Sequence, residues 1–65
     1  MKTWEQGEYQ VTCEWLPDAD VWSIQHKRNG RLLESVHTSN DDTADNIMLQ
    51  WIDESKSVIC RRRFA

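Results

Sequence analysis

The chain has 65 residues, four tryptophans, two glycines, one proline and a formal net charge of −3. This length allows one domain, and the supply of large apolar side chains argues against a disordered chain. No apolar run approaches the roughly 20 residues of a transmembrane helix, and the first residues lack the apolar core of a signal peptide. We therefore expect a cytoplasmic protein without a membrane segment.

The first seven residues show no periodicity and are predicted to form an N-terminal arm that ends at Gly7. A strict alternation of apolar and polar side chains follows over Glu8–Trp15. A period of two over eight residues is typical of a strand with one buried face. The expected buried side chains are Tyr9, Val11, Cys13 and Trp15.

A second strand is predicted over Val21–Arg28, after a turn at Pro17–Asp20. Proline presets φ in such a turn, and aspartate bonds to its own backbone. A four-residue loop makes the apolar faces of the two strands coincide, whereas a slip of one residue would separate them. The expected partners are Leu16 with Val21, Trp15 with Trp22, Cys13 with Ile24, and Val11 with His26.

The dipeptide Asn29-Gly30 predicts a hairpin leading into a third strand over 31–38. A two-residue loop would pair His26 with Leu33. A three-residue loop with Gly30 in the left-handed conformation would instead pair His26 with Leu32. The second register continues the apolar face better, so a bulged turn is expected, with Leu33 on the open face of the sheet.

A helix is predicted over 39–57, with Ser39 or Asn40 as its cap and acidic residues in its first turn. Its apolar stripe has helical spacing and leaves Leu49 outside. Residues 58–65 are expected to form a short fourth strand or a tail. The stripe comprises Ala44, Ile47, Met48, Trp51 and Ile52.

These elements predict one α+β domain over 1–65: an arm (1–7), a three-stranded antiparallel meander (8–38), one amphipathic helix packed on one face (39–57), and the C-terminal segment (58–65). The order of three strands and an acid-started helix, from Glu8 to about Lys56, resembles HicB-type antitoxins and the arm-binding domains of phage integrases. The resemblance rests on topology and implies no residue roles. Small acidic chains of this kind also resemble phage-encoded inhibitors of host machinery.

Nothing in the sequence predicts an enzyme, a cofactor or a metal site. His26 and His37 have no neighbouring Ser or Cys at a spacing that suggests a nucleophile. Cys13 and Cys60 are expected to be reduced thiols, with a disulfide between them as the alternative and a zinc site as a more remote one.

Two kinds of partner remain. A non-enzymatic regulator or inhibitor that binds a protein through the open sheet face or an edge is the first expectation, and a homodimer is compatible with so small a core. Its candidate residues are Leu16, Val21, Leu33, Asp41, Asp42 and Asp45. The alternative is a nucleic-acid-binding module, because a basic hairpin tip and a basic C-terminus could contact phosphates. Its candidate residues are Lys27, Arg28, Arg31, Arg61, Arg62 and Arg63.

Overall fold

The computed structural model describes the backbone of residues 1–64 and the side chains of residues 1–59. Four strands are followed by one helix, which makes an α+β fold. The strands pair in the order β1-β2-β3-β4, all antiparallel. The elements are β1 (Lys2–Gln6), β2 (Tyr9–Leu16), β3 (Val21–Arg28), β4 (Arg31–Thr38) and α1 (Asp41–Phe64).

The sheet has four strands rather than three, because the segment expected to be an arm forms β1. Gly7 has a φ of 60°, a left-handed conformation that allows the chain to reverse within two residues. Gln6 therefore lies opposite Tyr9, and Trp4 lies opposite Val11. Trp4 thus reaches the helix-facing side of the sheet and packs against the core.

The pairing of β2 with β3 confirms the predicted register. Leu16 lies opposite Val21, and Trp15 lies opposite Trp22. The rings of Trp15 and Trp22 are 5.2 Å apart between centroids and tilted by 60°, a favourable arrangement for two aromatic side chains. The intervening turn closes with Asp20 at a φ of 55°, a conformation that aspartate tolerates better than most residues.

The pairing of β3 with β4 corrects the expected bulged turn. Asn29 and Gly30 both have positive φ, 53° and 78°, and form a two-residue turn. The extra residue lies inside the strand instead: the register shifts between His26 and Lys27, and Leu33 has no partner in the pairing. Leu32 accordingly stays 51% exposed instead of joining the core.

The helix begins after Asn40, one of its two predicted caps. The side-chain oxygen Oδ1 of Asn40 accepts a hydrogen bond from the backbone N–H of Thr43 at 3.0 Å. The helix then continues to Phe64, so a fourth strand after the helix is wrong. Ile59 lies near the turn between β1 and β2, since its Cδ1 would be 3.9 Å from a Cβ added to Gly7.

The core lies between α1 and one face of the sheet. The helix contacts chiefly β2 and β3, and contacts β4 only marginally. The predicted stripe is confirmed, and Leu49 lies outside it with most of its side chain exposed. The buried cluster comprises Val11, Cys13, Ile24, Ala44, Met48 and Trp51. Within the described residues, no helix has the length and apolar character needed to cross a membrane.

Candidate functional site

The basic hairpin tip is partly engaged in holding the fold together. The guanidinium of Arg28 lies 3.1 Å from a carboxylate oxygen of Glu8 and 5.7 Å from the centre of the Tyr9 ring. Asn29 is attached to the same glutamate, because its side-chain amide and its backbone N–H donate to Glu8 oxygens at 3.0 and 2.7 Å. Arg28 therefore ties two adjacent turns together and is less available to a phosphate than the sequence suggests.

The remaining basic candidates lie in the hairpin between β3 and β4 and near the end of α1. Lys27 is half-buried, whereas Arg31 is exposed. The helix runs toward this end of the sheet, since Ile59 approaches the turn at Gly7. The side chains of Arg61, Arg62 and Arg63 lie outside the described residues. Of the six predicted nucleic-acid contacts, Arg31 is thus the described one with the most open side chain.

The acidic candidates at the start of α1 are also engaged in the fold. The indole Nε1 of Trp22 donates to Oδ1 of Asp41. Lys2 donates to Asp45 at 2.8 Å, and this hydrogen bond, together with the attraction of the two charges, raises the pKa of Lys2 above its ordinary value. Asp42 is exposed in the first turn of the helix. Two of the three aspartates therefore join the helix to the sheet.

The three apolar candidates do not form one patch. Leu16 and Val21 face each other across the turn that joins β2 to β3, and both are half-buried. Leu33 lies in the irregular part of β4 beside Lys27 and is 47% exposed. The turn and this irregular part are at opposite ends of the sheet, so a partner would meet Leu33 and the Leu16–Val21 pair separately.

The sheet face opposite the helix is polar at its centre. Thr12 and Ser23, in the two middle strands, are only 8% and 5% exposed, although no described helix covers this face. Longer polar side chains, including Glu14 and Gln25 in the pairings of these two residues, surround them. This surface, which we call the open face, presents hydrogen-bonding groups.

A buried polar chain that was not predicted from the sequence connects β3 to the helix. Nε2 of His26 lies 2.8 Å from Oγ of Ser55, and the Ser55 hydroxyl donates to the backbone oxygen of Trp51 at 2.9 Å. Because that hydroxyl has a single proton, Ser55 must accept from His26, which fixes the imidazole proton on Nε2. The His26 ring also stacks on Trp51, with centroids 5.8 Å apart.

The opposite nitrogen of His26 faces a carboxylate. Nδ1 is buried and has no hydrogen-bond partner among the described residues, and Oε2 of Glu34 lies 3.7 Å from it. Serine, histidine and glutamate thus follow one another as in hydrolase triads. The order is not sufficient for catalysis, because Ser55 is 1% exposed and its proton is directed at a helix carbonyl.

Cys13 is a free thiol in the core, as expected for a reduced cysteine. Burial raises the pKa of this thiol above its ordinary value. The side chain of Cys60 lies outside the described residues. Among residues 1–59, no cluster of three or more histidine, cysteine, aspartate or glutamate side chains could hold a metal ion.

Comparison with known proteins does not extend these observations. No protein-family model matches the chain, and no curated protein or solved structure has a significant similarity to it. The likeness in element order to HicB-type antitoxins and integrase arm-binding domains therefore gains no support.

Proposed function

We propose that the protein is a cytoplasmic, non-enzymatic regulator or inhibitor that acts by binding another protein through the open face. The observation that carries this proposal is the one-sided packing of the fold. The single helix covers one face of a four-stranded sheet, and no described element covers the other. Antiparallel sheets of this kind commonly leave one face in water, where it is available to a partner.

The chemistry of the open face suits a protein partner. Its centre is formed by Thr12 and Ser23, which are small enough to let another surface approach closely. Leu16 and Val21 add an apolar pair at one end. Such a mixture of a small apolar contact and many polar groups is typical of non-obligate interfaces, whose overall polarity differs little from the rest of a protein surface.

The burial of the Ser55 hydroxyl and of the Cys13 thiol supports a binding role over an enzymatic one. The histidine that contacts a serine does so inside the core, where Ser55 is 1% exposed. The described cysteine is buried as well. A nucleophile must reach its substrate, and neither side chain can do so without opening the fold.

The proposal is tested by capture of partners from a source lysate with three forms of the protein. Gln25→Arg places a long charged side chain on the open face, and Gln50→Arg places the same side chain on the exposed surface of the helix as a matched control. Support requires a protein that wild type and Gln50→Arg retain and Gln25→Arg loses. Capture of nothing above background, or equal capture by all three forms, contradicts the proposal.

Nucleic-acid binding is a second candidate, favoured by the direction of the helix. Its C-terminal part runs past Gly7, at the same end of the sheet as the Lys27 and Arg31 hairpin. Binding through phosphate contacts would weaken steeply with salt. A gel shift at low salt that is abolished by Lys27→Glu/Arg31→Glu supports this candidate, and no shift at micromolar protein excludes it.

A further inference from the structure

The outer edge of β4 is the longer of the two edges of the sheet, and no described strand pairs with it. β4 has eight residues and lies at one side of the sheet, whereas the other edge strand, β1, has five. Six of its eight residues are exposed, and two of them are leucines that are 51% and 47% exposed. An unpaired edge of this length can accept another strand through its backbone.

The irregularity at Leu33 brings two opposite charges to one face of the sheet. Arg31 lies opposite Arg28, whose guanidinium is over the ring of Tyr9, so Arg31 belongs to the helix-facing side. Glu34 lies opposite His26 and approaches its imidazole, so it belongs to the same side. In a regular strand, residues three apart would point to opposite faces. The extra residue removes that difference.

The segment 31–34 is therefore complementary to a reversed copy of itself. Its order is arginine, leucine, leucine, glutamate. A two-fold axis perpendicular to the sheet, passing between Leu32 and Leu33, would place Arg31 of each copy against Glu34 of the other and the leucines against each other. Such an axis keeps each side chain on its own face, and this is possible only because Arg31 and Glu34 share one.

Packing of the helix leaves room for this arrangement. The helix lies mainly over β2 and β3. With strands about 4.8 Å apart, two helices related by an axis at the β4 edge would be separated by roughly 20 Å, about twice the diameter of a helix. The two copies can therefore approach to strand-pairing distance without a collision between their helices.

We infer that the protein forms a homodimer in which the β4 edges of two copies pair antiparallel across the Arg31–Glu34 segment. The product is one eight-stranded sheet with both helices on one side and both open faces on the other. A partner would then meet a surface twice as wide as that of one chain. The inference concerns the edge and stands independently of the proposed binding through the open face.

The test uses charge reversal and measures the molecular mass of the full chain by sedimentation equilibrium. Wild type is expected to dimerise, and Arg31→Glu and Glu34→Arg are each expected to raise the dissociation constant at least about tenfold, because each creates two like-charge contacts per dimer. The double variant Arg31→Glu/Glu34→Arg is expected to dimerise again. An equimolar mixture of the two single variants is expected to form a mixed dimer, since one carries two acids and the other two bases at these positions.

Each outcome distinguishes an edge dimer from other arrangements. Lys27→Glu is the control. It reverses a charge on β3, on the sheet face that does not carry Arg31 and Glu34, and should leave dimerisation unchanged. A wild type that is monomeric at several hundred micromolar overturns the inference. So does a dimer that the single variants do not weaken, or one that neither the double variant nor the mixture restores. Circular dichroism of each variant separates loss of pairing from loss of folding.

Discussion

The imidazole of His26 donates its Nε2 hydrogen to the hydroxyl oxygen of Ser55 at 2.8 Å, across 29 residues of sequence. Both side chains are buried, and the Ser55 hydroxyl donates a hydrogen bond to the backbone oxygen of Trp51, one turn earlier in the helix. The bond fastens the middle of the helix to the third strand. It also selects one tautomer of a histidine that sits against two aromatic rings.

Loss of the Ser55 hydroxyl should destabilise the fold. Ser55→Ala leaves the Nε2 hydrogen of His26 buried without an acceptor, and such a loss costs about 1–3 kcal/mol. For a domain of this size the midpoint of thermal unfolding should fall by roughly 4–8 °C per kcal/mol. Ser57→Ala, in the same helix but exposed, is the control and should change the free energy of unfolding by less than about 0.5 kcal/mol. Equal midpoints for the two variants would show that the buried bond contributes nothing.

Asn40 should contribute more to the free energy of unfolding than Ser39. Asn40→Ala removes the acceptor for the backbone N–H of Thr43 and is expected to cost about 0.5–2 kcal/mol in urea unfolding. Ser39→Ala is expected to have little effect, since the structure shows Asn40 as the capping side chain. A larger loss for Ser39→Ala than for Asn40→Ala would mean that the helix begins one residue earlier.

Substitutions at Gly30 should measure the energetic cost of a side chain at positive φ, because no neighbouring atom would clash with it. A Cβ added there meets nothing within 4 Å, so only the positive φ of 78° opposes a side chain. Gly30→Ala should cost about 1–2 kcal/mol in urea unfolding. Gly30→Asn should cost less, because asparagine adopts the left-handed conformation more readily. Two equally unstable variants would indicate that the turn does not keep this conformation in solution.

Stability should fall at alkaline pH through Cys13 and Lys2. The folded state raises the pKa of the Cys13 thiol above its usual 9.0, chiefly by burial, and raises the pKa of Lys2 above 10.5, chiefly by its hydrogen bond to Asp45. The folded state thus holds both protons more tightly than the unfolded state, so their stabilising contribution is complete below pH 9 and is lost as pH rises.

The contribution of the thiol can be isolated by urea unfolding between pH 8 and 11. Cys13→Val removes the ionisable group while keeping a buried apolar side chain, and its stability should decline less steeply above pH 9 than that of wild type. Cys60→Ser is the control: it keeps the Cys13 thiol, so its stability should decline above pH 9 as steeply as that of wild type. An identical decline in Cys13→Val and wild type would assign the alkaline loss to other groups.

The sequence predicted the parts of the fold that follow from local periodicity. The facing of Trp15 and Trp22 came from matching two apolar faces across a four-residue loop, and the structure has that pairing. Asn40 was recognisable as a cap because its side chain acts on the next few residues. The apolar stripe of the helix was recognisable for the same reason.

The predictions that were wrong concern contacts between segments that are distant in the sequence. Residues 2–6 have no alternation of their own, and only pairing with β2 makes them a strand. The position of the extra residue in β4 also depends on a distant segment. The apolar pattern indicated a bulge at the turn, but the structure pairs Ile24 with Val36 and has the extra residue at Leu33. No local sequence pattern links His26 with Ser55. Their bond exists because the helix returns along the sheet after Thr38.

The unpaired residue in β4 has a consequence for the length of the chain. Leu33 lies between Leu32, which faces Lys27, and Glu34, which faces His26. A two-residue turn at Asn29-Gly30 followed by uninterrupted pairing would produce those same partners if Leu33 were absent. One-residue deletions within a strand normally invert every side chain beyond them. At this position a shorter chain would keep each side chain on its present face, so natural variation in length could accumulate inside β4 rather than only in its loops.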